Sequence, residues 1–185
     1  MSFSEALKQF PVLKTNRLTL RQIEEGDAAA YYGAISALPH TSAWSDSAEA
    51  QSLKNTHAAI RSYNNYFKRA KTIIPWVLAD QNADLAGFVK LFEIQYRSKA
   101  EIGYWLSESL WGKGLMTEAI EAVITCAFDQ LGLHRIYATT QVDNRASQRV
   151  LEKVGFKKEG VLRMHGRLQG KWADSVMYGL LNTDR

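Results

Sequence analysis

Apolar and polar positions divide this chain into short alternating runs and amphipathic stretches, and no apolar run reaches the length a membrane-spanning helix needs. Residues 17–22 alternate, with Leu18 and Leu20 on one side, and predict a half-buried first strand. Asp27 precedes an Ala-Ala-Ala-Tyr-Tyr segment, where its carboxylate would accept from the free N–H groups of a starting helix, a cap contributing typically about 1 kcal/mol. Residues 39–47 read as a loop containing Trp44, and 48–71 as a long or broken helix carrying Ile60, Tyr63, Tyr66 and Phe67. Residues 72–78 and 85–94 predict two strands joined by a polar turn at 80–84, and Gly87 marks a bulge or a close contact. The aromatic-rich run 101–106 is the next strand.

A glycine turn follows. Gly112 and Gly114 bracket Lys113, and from Thr117 the pattern becomes helical, with Ile120, Val123, Ile124, Ala127 and Leu131 on one face and Gly132 as terminator. A strand-to-helix turn of this kind exposes N–H groups that have no intrahelical partner, at the positive end of the helix dipole, so it can cradle an anion such as pyrophosphate. A third glycine for the dinucleotide pattern is missing, since Thr117 stands there, and Gly114 occupies the Ser/Thr position of a P-loop. Alone, the turn reads first as an ordinary glycine-containing connection.

Residues 134–142 predict another strand, with His134 at its junction read as a cap or surface residue. Asp143 or Asn144 then caps a short helix that Gly155 closes. Residues 158–165 and 172–181 predict two final strands joined by 166–171.

The glycine turn resembles motif A of the GNAT acetyltransferase superfamily, Gln/Arg-x-x-Gly-x-Gly/Ala, with Ser109 where Gln or Arg is usual. The run Ile102-Gly-Tyr-Trp-Leu followed by Trp111-Gly-Lys-Gly-Leu-Met-Thr-Glu-Ala, and the opening Leu13-Lys-Thr-Asn-Arg-Leu-Thr-Leu-Arg, are similar to the RimJ/RimL branch of protein N-terminal acetyltransferases. About thirty residues after the turn, Asn144-x-x-Ser147 ahead of Gly155-Phe156 resembles the second GNAT signature. Gly160, Arg163, Gly170, Lys171, Trp172 and Asp174 match a further family pattern, so the resemblance covers almost the whole chain.

The resemblance implies a GNAT α/β (α+β) fold, a mixed, mostly antiparallel sheet flanked by helices, forming a single N-acetyltransferase domain over 1–185. It implies acetyl-CoA as co-substrate, with Leu106, Ser109, Trp111, Gly112, Lys113, Gly114, Leu115, Met116 and Thr117 around it. Asn144 would bond the pantetheine arm, Ser147 would lie by the thioester sulfur, and Arg149 near the phosphates. A backbone N–H near Leu106 would bind the thioester carbonyl. The acceptor would be covered by residues 39–71, where Trp44, Tyr63 and Phe67 are read first as core and second as substrate contacts.

Acetyl transfer to an amine needs a neutral amine, a donor for the developing oxyanion and a proton for the departing thiolate. An α-amine, with an unperturbed pKa of about 7.7–8.0, is partly neutral at cellular pH and needs only a weak base, unlike a lysine near 10.4. Glu101 is the candidate base, acting through a water, with a plain surface carboxylate as the equal alternative. Ser147 is the candidate donor to sulfur and Tyr104 its reserve. Some relatives carry an extra carboxylate where Gly166 stands, which leaves that role unfilled.

Composition narrows the setting. The 185 residues, 46% hydrophobic and 23% charged, suit one globular domain. The net charge of +4 is mildly basic, without a Lys/Arg block that would signal nucleic acid, and weakly disfavours a polycationic acceptor. Cys126, the single cysteine, excludes an intrachain disulfide and reads as a small buried side chain. Residues 1–10 lack the apolar core of a secretory leader, so a cytoplasmic protein is expected. The sequence thus predicts direct acetyl transfer, with neither metal nor covalent enzyme intermediate, to a primary amine, foremost a protein N-terminus such as that of a ribosomal protein. Polyamines, amino acids and aminoglycosides are the alternative acceptors, and a non-catalytic acyl-CoA sensor the alternative function. A homodimer stays open, because exposed strand edges can pair.

Overall fold

The computed structural model describes residues 7–39, 47–82 and 84–185. Eight strands form one sheet: β1 (Leu13–Lys14), β2 (Thr19–Gln22), β3 (Ile74–Ala79), β4 (Leu85–Gln95), β5 (Lys99–Leu106), β6 (Arg135–Gln141), β7 (Lys157–Leu168) and β8 (Lys171–Leu181). Their order is β1-β2-β3-β4-β5-β6-β8-β7. Every neighbouring pair is antiparallel except β5 with β6. Among the described residues four α-helices accompany the sheet: α1 (Ala28–Ser36), α2 (Leu53–Arg69), α3 (Leu115–Thr125) and α4 (Arg145–Lys153).

Strand alternation sends side chains to two cores. On one face Val77, Phe88 and Trp105 meet Tyr31, Ile35 and Ile60 of α1 and α2. Tyr31 lies edge-on to Phe88 and Trp105, with ring centroids 5.3 and 5.0 Å apart. On the other face Val89, Ile102 and Leu106 pack with Met116, Ala119, Ile120 and Val123 of α3 and with Leu151 of α4. β3 is buried along its whole length, which is why 74–79 is apolar without alternation.

Several expectations need correcting. Asp27 does not cap α1 with its side chain. A preceding 3-10 turn, Glu25–Asp27, draws it into helical conformation, and its carboxylate accepts from the Arg21 guanidinium at 2.7 and 2.8 Å and from the Glu24 N–H at 2.8 Å. The long helical stretch is broken: a 3-10 turn at Ala48–Ala50 precedes α2, whose cap is Ser52, accepting from the Asn55 N–H. The last hairpin is longer than predicted, because Gln169 and Gly170, both at positive φ, close it as a two-residue turn. The motif-A helix starts at Leu115, two residues early, and ends in a π-helical turn, Cys126–Gln130, before Gly132. Gly87 combines both expected roles: pairing shifts beside it, and a Cβ there would lie 2.5 Å from the Trp105 carbonyl oxygen. Cys126 is fully buried, and burial pushes its thiol up to about 12, so it is inert.

Candidate functional site

The site begins with a defect in strand pairing. β5 and β6 pair only over Lys99, Ala100 and Glu101, against Arg135, Ile136 and Tyr137. Beyond Glu101 they diverge, while β5 stays on β4 as far as Leu106 and β6 stays on β8 as far as Gln141. The Ser107 N–H bonds the Ala86 carbonyl on the β4 side, so by strand alternation the backbone groups of Tyr104 and Leu106 turn toward the gap. Trp111 fills part of it, its indole N–H donating to the Leu106 carbonyl at 2.8 Å. The gap opens into a cleft of about 680 Å³ running between the start of α3, the start of α4 and β7.

At one end lies the glycine turn. Gly112 and Gly114 hold φ of +74° and +75°, a region costly for residues with a side chain. A Cβ on Gly112 would point into open space, the room a ligand would use. Gly114 is the N-cap of α3 and has no side chain to occupy the N–H groups of Leu115, Met116 and Thr117, the free donors of the first turn. The turn is clamped from outside. The Glu118 carboxylate accepts from the Thr15 hydroxyl at 2.5 Å, the Arg17 N–H at 2.9 Å and Arg17 Nε at 2.7 Å, while Arg17 Nη1 donates to the Lys113 carbonyl at 2.8 Å. These bonds hold Glu118 below the usual carboxylate range against the opposing effect of burial.

Across the cleft, Asn144 caps α4 by accepting the Ser147 N–H at 3.0 Å. Arg145, Arg149 and Lys153 follow at four-residue spacing, so one face of α4 lines the cleft with positive charge. Between the two helices, Tyr104 Oη and Ser147 Oγ lie 2.8 Å apart, and the phenol also reaches the Ser147 carbonyl at 3.2 Å. Burial raises the Tyr104 phenol, with the Ser147 hydrogen bond acting the other way. The phenol therefore stays protonated at neutral pH, and the pair can donate a hydrogen bond.

Of the residues expected at the site, Tyr104, Leu106, Trp111, Gly112, Gly114, Leu115, Met116, Thr117, Asn144, Ser147 and Arg149 all line this cleft. Ser109 and Lys113 do not; both are exposed, and Lys113 contributes its carbonyl to the Arg17 clamp. Glu101 also lies outside the lining, at the point where the strands part, accepting from the cleft residue Thr139 at 2.9 Å. Burial raises its carboxyl; the Thr139 bond, His165 and Lys90 oppose this, and Glu93 adds to it. Phe67 is core, edge-on to Phe10 at 5.0 Å, and Tyr63 donates to the buried Glu49 at 2.7 Å. Trp44 lies outside the described residues.

Sequence reasoning missed Arg145, Lys153, Thr139, His165 and the Arg17–Glu118 clamp. The first two were accessible from the four-residue spacing around Arg149, whereas the others come together only through the sheet. Among the described residues no group of three His, Cys, Asp or Glu side chains could hold a metal, and no helix is long and apolar enough to cross a membrane.

Known proteins share this fold. The family described as acetyltransferase (GNAT) domain matches residues 17–157. YoaA of Bacillus subtilis (strain 168), an uncharacterized N-acetyltransferase, is 32% identical over 173 residues, covering 93% of this chain and 97% of its own. The ribosomal protein uS5-alanine N-acetyltransferase of Escherichia coli (strain K12) is 35% identical over 83 residues, 45% of this chain and 43% of its own. A solved structure of RimL, a ribosomal L7/L12 alpha-N-protein acetyltransferase in complex with coenzyme A, superposes with a TM-score of 0.84 at 24% identity, covering 95% of this chain and all of that one. The chain belongs to the GNAT acetyltransferase family and is an acetyl-CoA-dependent N-acetyltransferase.

Proposed function

We propose that the acceptor is the α-amine of a protein, with a ribosomal protein as the first candidate. The observation that carries this reading is the charge of the cleft. Among the described residues its lining holds one carboxylate, Asp143, so it lacks the acidic funnel that would draw in a polycation. An α-amine is less basic than a polyamine nitrogen or a lysine and asks less of the enzyme in losing its proton. The uS5-alanine relative supports the same choice.

In this reading the turn at Gly112 and Gly114 and the basic face of α4 take the phosphates of acetyl-CoA, which supplies the acetyl thioester. Asn144 holds the start of α4, and the N–H groups of β5 that face the gap meet the thioester oxygen as it gains negative charge. The amine attacks the carbonyl carbon, the C–S bond breaks, and the thiolate takes a proton from the Tyr104–Ser147 hydroxyl pair. The amine's own proton leaves into the cleft on its Thr139 side.

The test is coenzyme A release from acetyl-CoA with N-terminal peptides, α-blocked versions of them, spermidine, single amino acids and an aminoglycoside. Release only with free-α-amine peptides is expected. Release with spermidine but with no peptide would overturn the reading.

A further inference from the structure

We propose that His165 is a catalytic residue of this acetyltransferase, taking the proton from the attacking amine. β7 does not run straight past the cleft. Its pairing with β8 slips between Leu162 and Gly166: Leu162 faces Ser175 and Gly166 faces Ala173, so Arg163, Met164 and His165 stand opposite Asp174 alone. Such a bulge re-aims side chains, and this one is built firmly. Met164 takes a φ of +51°, and its N–H donates to Asp174 Oδ1 at 2.9 Å.

The bulge brings His165 and Gly166 into the lining of the same cleft that Tyr104, Ser147, Thr139 and Ser175 line. A Cβ at Gly166 would lie in ordinary van der Waals contact, 3.7 Å from Gln141 Nε2 and 3.8 Å from Ser175 Oγ. His165, exposed to solvent, is the one imidazole among the described residues of the cleft lining, and it stands near enough to Glu101 to be one of the lesser influences on that carboxyl. Glu101 in turn is held by Thr139. The other charged groups around this corner are Lys90 and Glu93 beyond Glu101, Asp174 on β8, Arg163 and Arg167 on β7, and Asp143 and Arg145 on the opposite wall.

The step balances as follows. The amine nitrogen forms a bond to the acetyl carbon and gives its proton to the neutral imidazole. The C–S bond breaks and the thiolate takes a proton from the hydroxyl pair, which solvent restores as the imidazolium returns its proton to solvent. Imidazole is the side chain whose ordinary pKa lies nearest working pH, where a base serves an amine best.

The inference rests on amine acetylation, not on the protein acceptor. The experiment therefore uses whichever amine the wild-type enzyme acetylates fastest, so a spermidine enzyme would overturn the proposed acceptor and still test His165. His165→Gln and His165→Ala are assayed for coenzyme A release across pH, with acetyl-CoA affinity measured by calorimetry. Expected are unchanged affinity, kcat/KM lower by about 100-fold at neutral pH, loss of the acidic limb of the kcat/KM profile, and partial rescue of His165→Ala by added imidazole. Turnover within about threefold of wild type, or a normal acidic limb in His165→Gln, would overturn the proposal.

Discussion

The Arg17–Glu118 clamp offers a sharp test of how the glycine turn is held. Glu118→Ala removes one carboxylate that accepts three hydrogen bonds and leaves Thr15 and Arg17 without it. A hydrogen bond to a charged group is worth about 1.5–3 kcal/mol, but the Arg17 side chain is 45% exposed and an exposed ion pair contributes only about 0.2–1 kcal/mol. Weighing the partly shielded Thr15 and backbone bonds against the screened Arg17 pair gives about 2 kcal/mol in all. For a chain of this size that lowers Tm by about 4–8 °C. The same variant frees Arg17 from its anchor and loosens its hold on the Lys113 carbonyl between the two glycines, so acetyl-CoA affinity falls about tenfold. Because the folded-state pKa of Glu118 is depressed, its contribution is present above the ordinary carboxylate pKa and fades as pH falls through the lower folded value. Thermal unfolding of wild type and Glu118→Gln should therefore differ at pH 7 and converge in strong acid. Equal Tm and equal affinity at pH 7 would refute the clamp, and a gap that widens in acid would refute its electrostatic basis.

Other predictions use different parts of the site. Gly112→Glu, at a φ of +74° with open space before it, should cost about 1–2 kcal/mol in backbone strain yet fold, and should lose acetyl-CoA affinity by at least about 100-fold in calorimetry; wild-type affinity would remove the cradle. Ser147→Ala should lower kcat about tenfold or more with little change in acetyl-CoA affinity, whereas unchanged turnover would reduce Ser147 to the first turn of α4. Arg145, Arg149 and Lys153 changed together to Ala should raise the KM for acetyl-CoA and weaken its salt dependence, while leaving the KM for acetyl-pantetheine, which lacks the phosphates, where it was. Cys126 should resist thiol reagents in the native state and react on unfolding; rapid native labelling would contradict its burial.

The order of elements was legible because each carried its own local signal. The alternation at Leu18 and Leu20, the polar turn at 80–84 and the glycine pair at 112 and 114 all became what their patterns implied. The end of the cleft at the glycine turn was legible for the same reason, since a strand, a turn and a helix start adjacent in sequence build most of it. What escaped was set by long-range pairing. Asp27 has the identity of a cap, yet Arg21 two strand positions from β2's start claims its carboxylate. Glu101 looks like a cleft carboxylate from its strand, but the parting of β5 from β6 leaves it behind Thr139. His165 reads as an unremarkable strand residue until a register slip, invisible in the sequence, turns it to the cleft wall. Glu49, buried with the hydroxyls of Tyr31 and Tyr63 as its donors, gave no signal in a polar-looking segment.

The most direct measurement is localisation of the transferred acetyl group. The enzyme would be incubated with acetyl-CoA and a peptide carrying both a free α-amine and an internal lysine, and the product read by tandem mass spectrometry. Acetyl on the α-nitrogen alone is the predicted result. Acetyl on the lysine side chain, or an unmodified peptide under conditions where spermidine is acetylated, would contradict it.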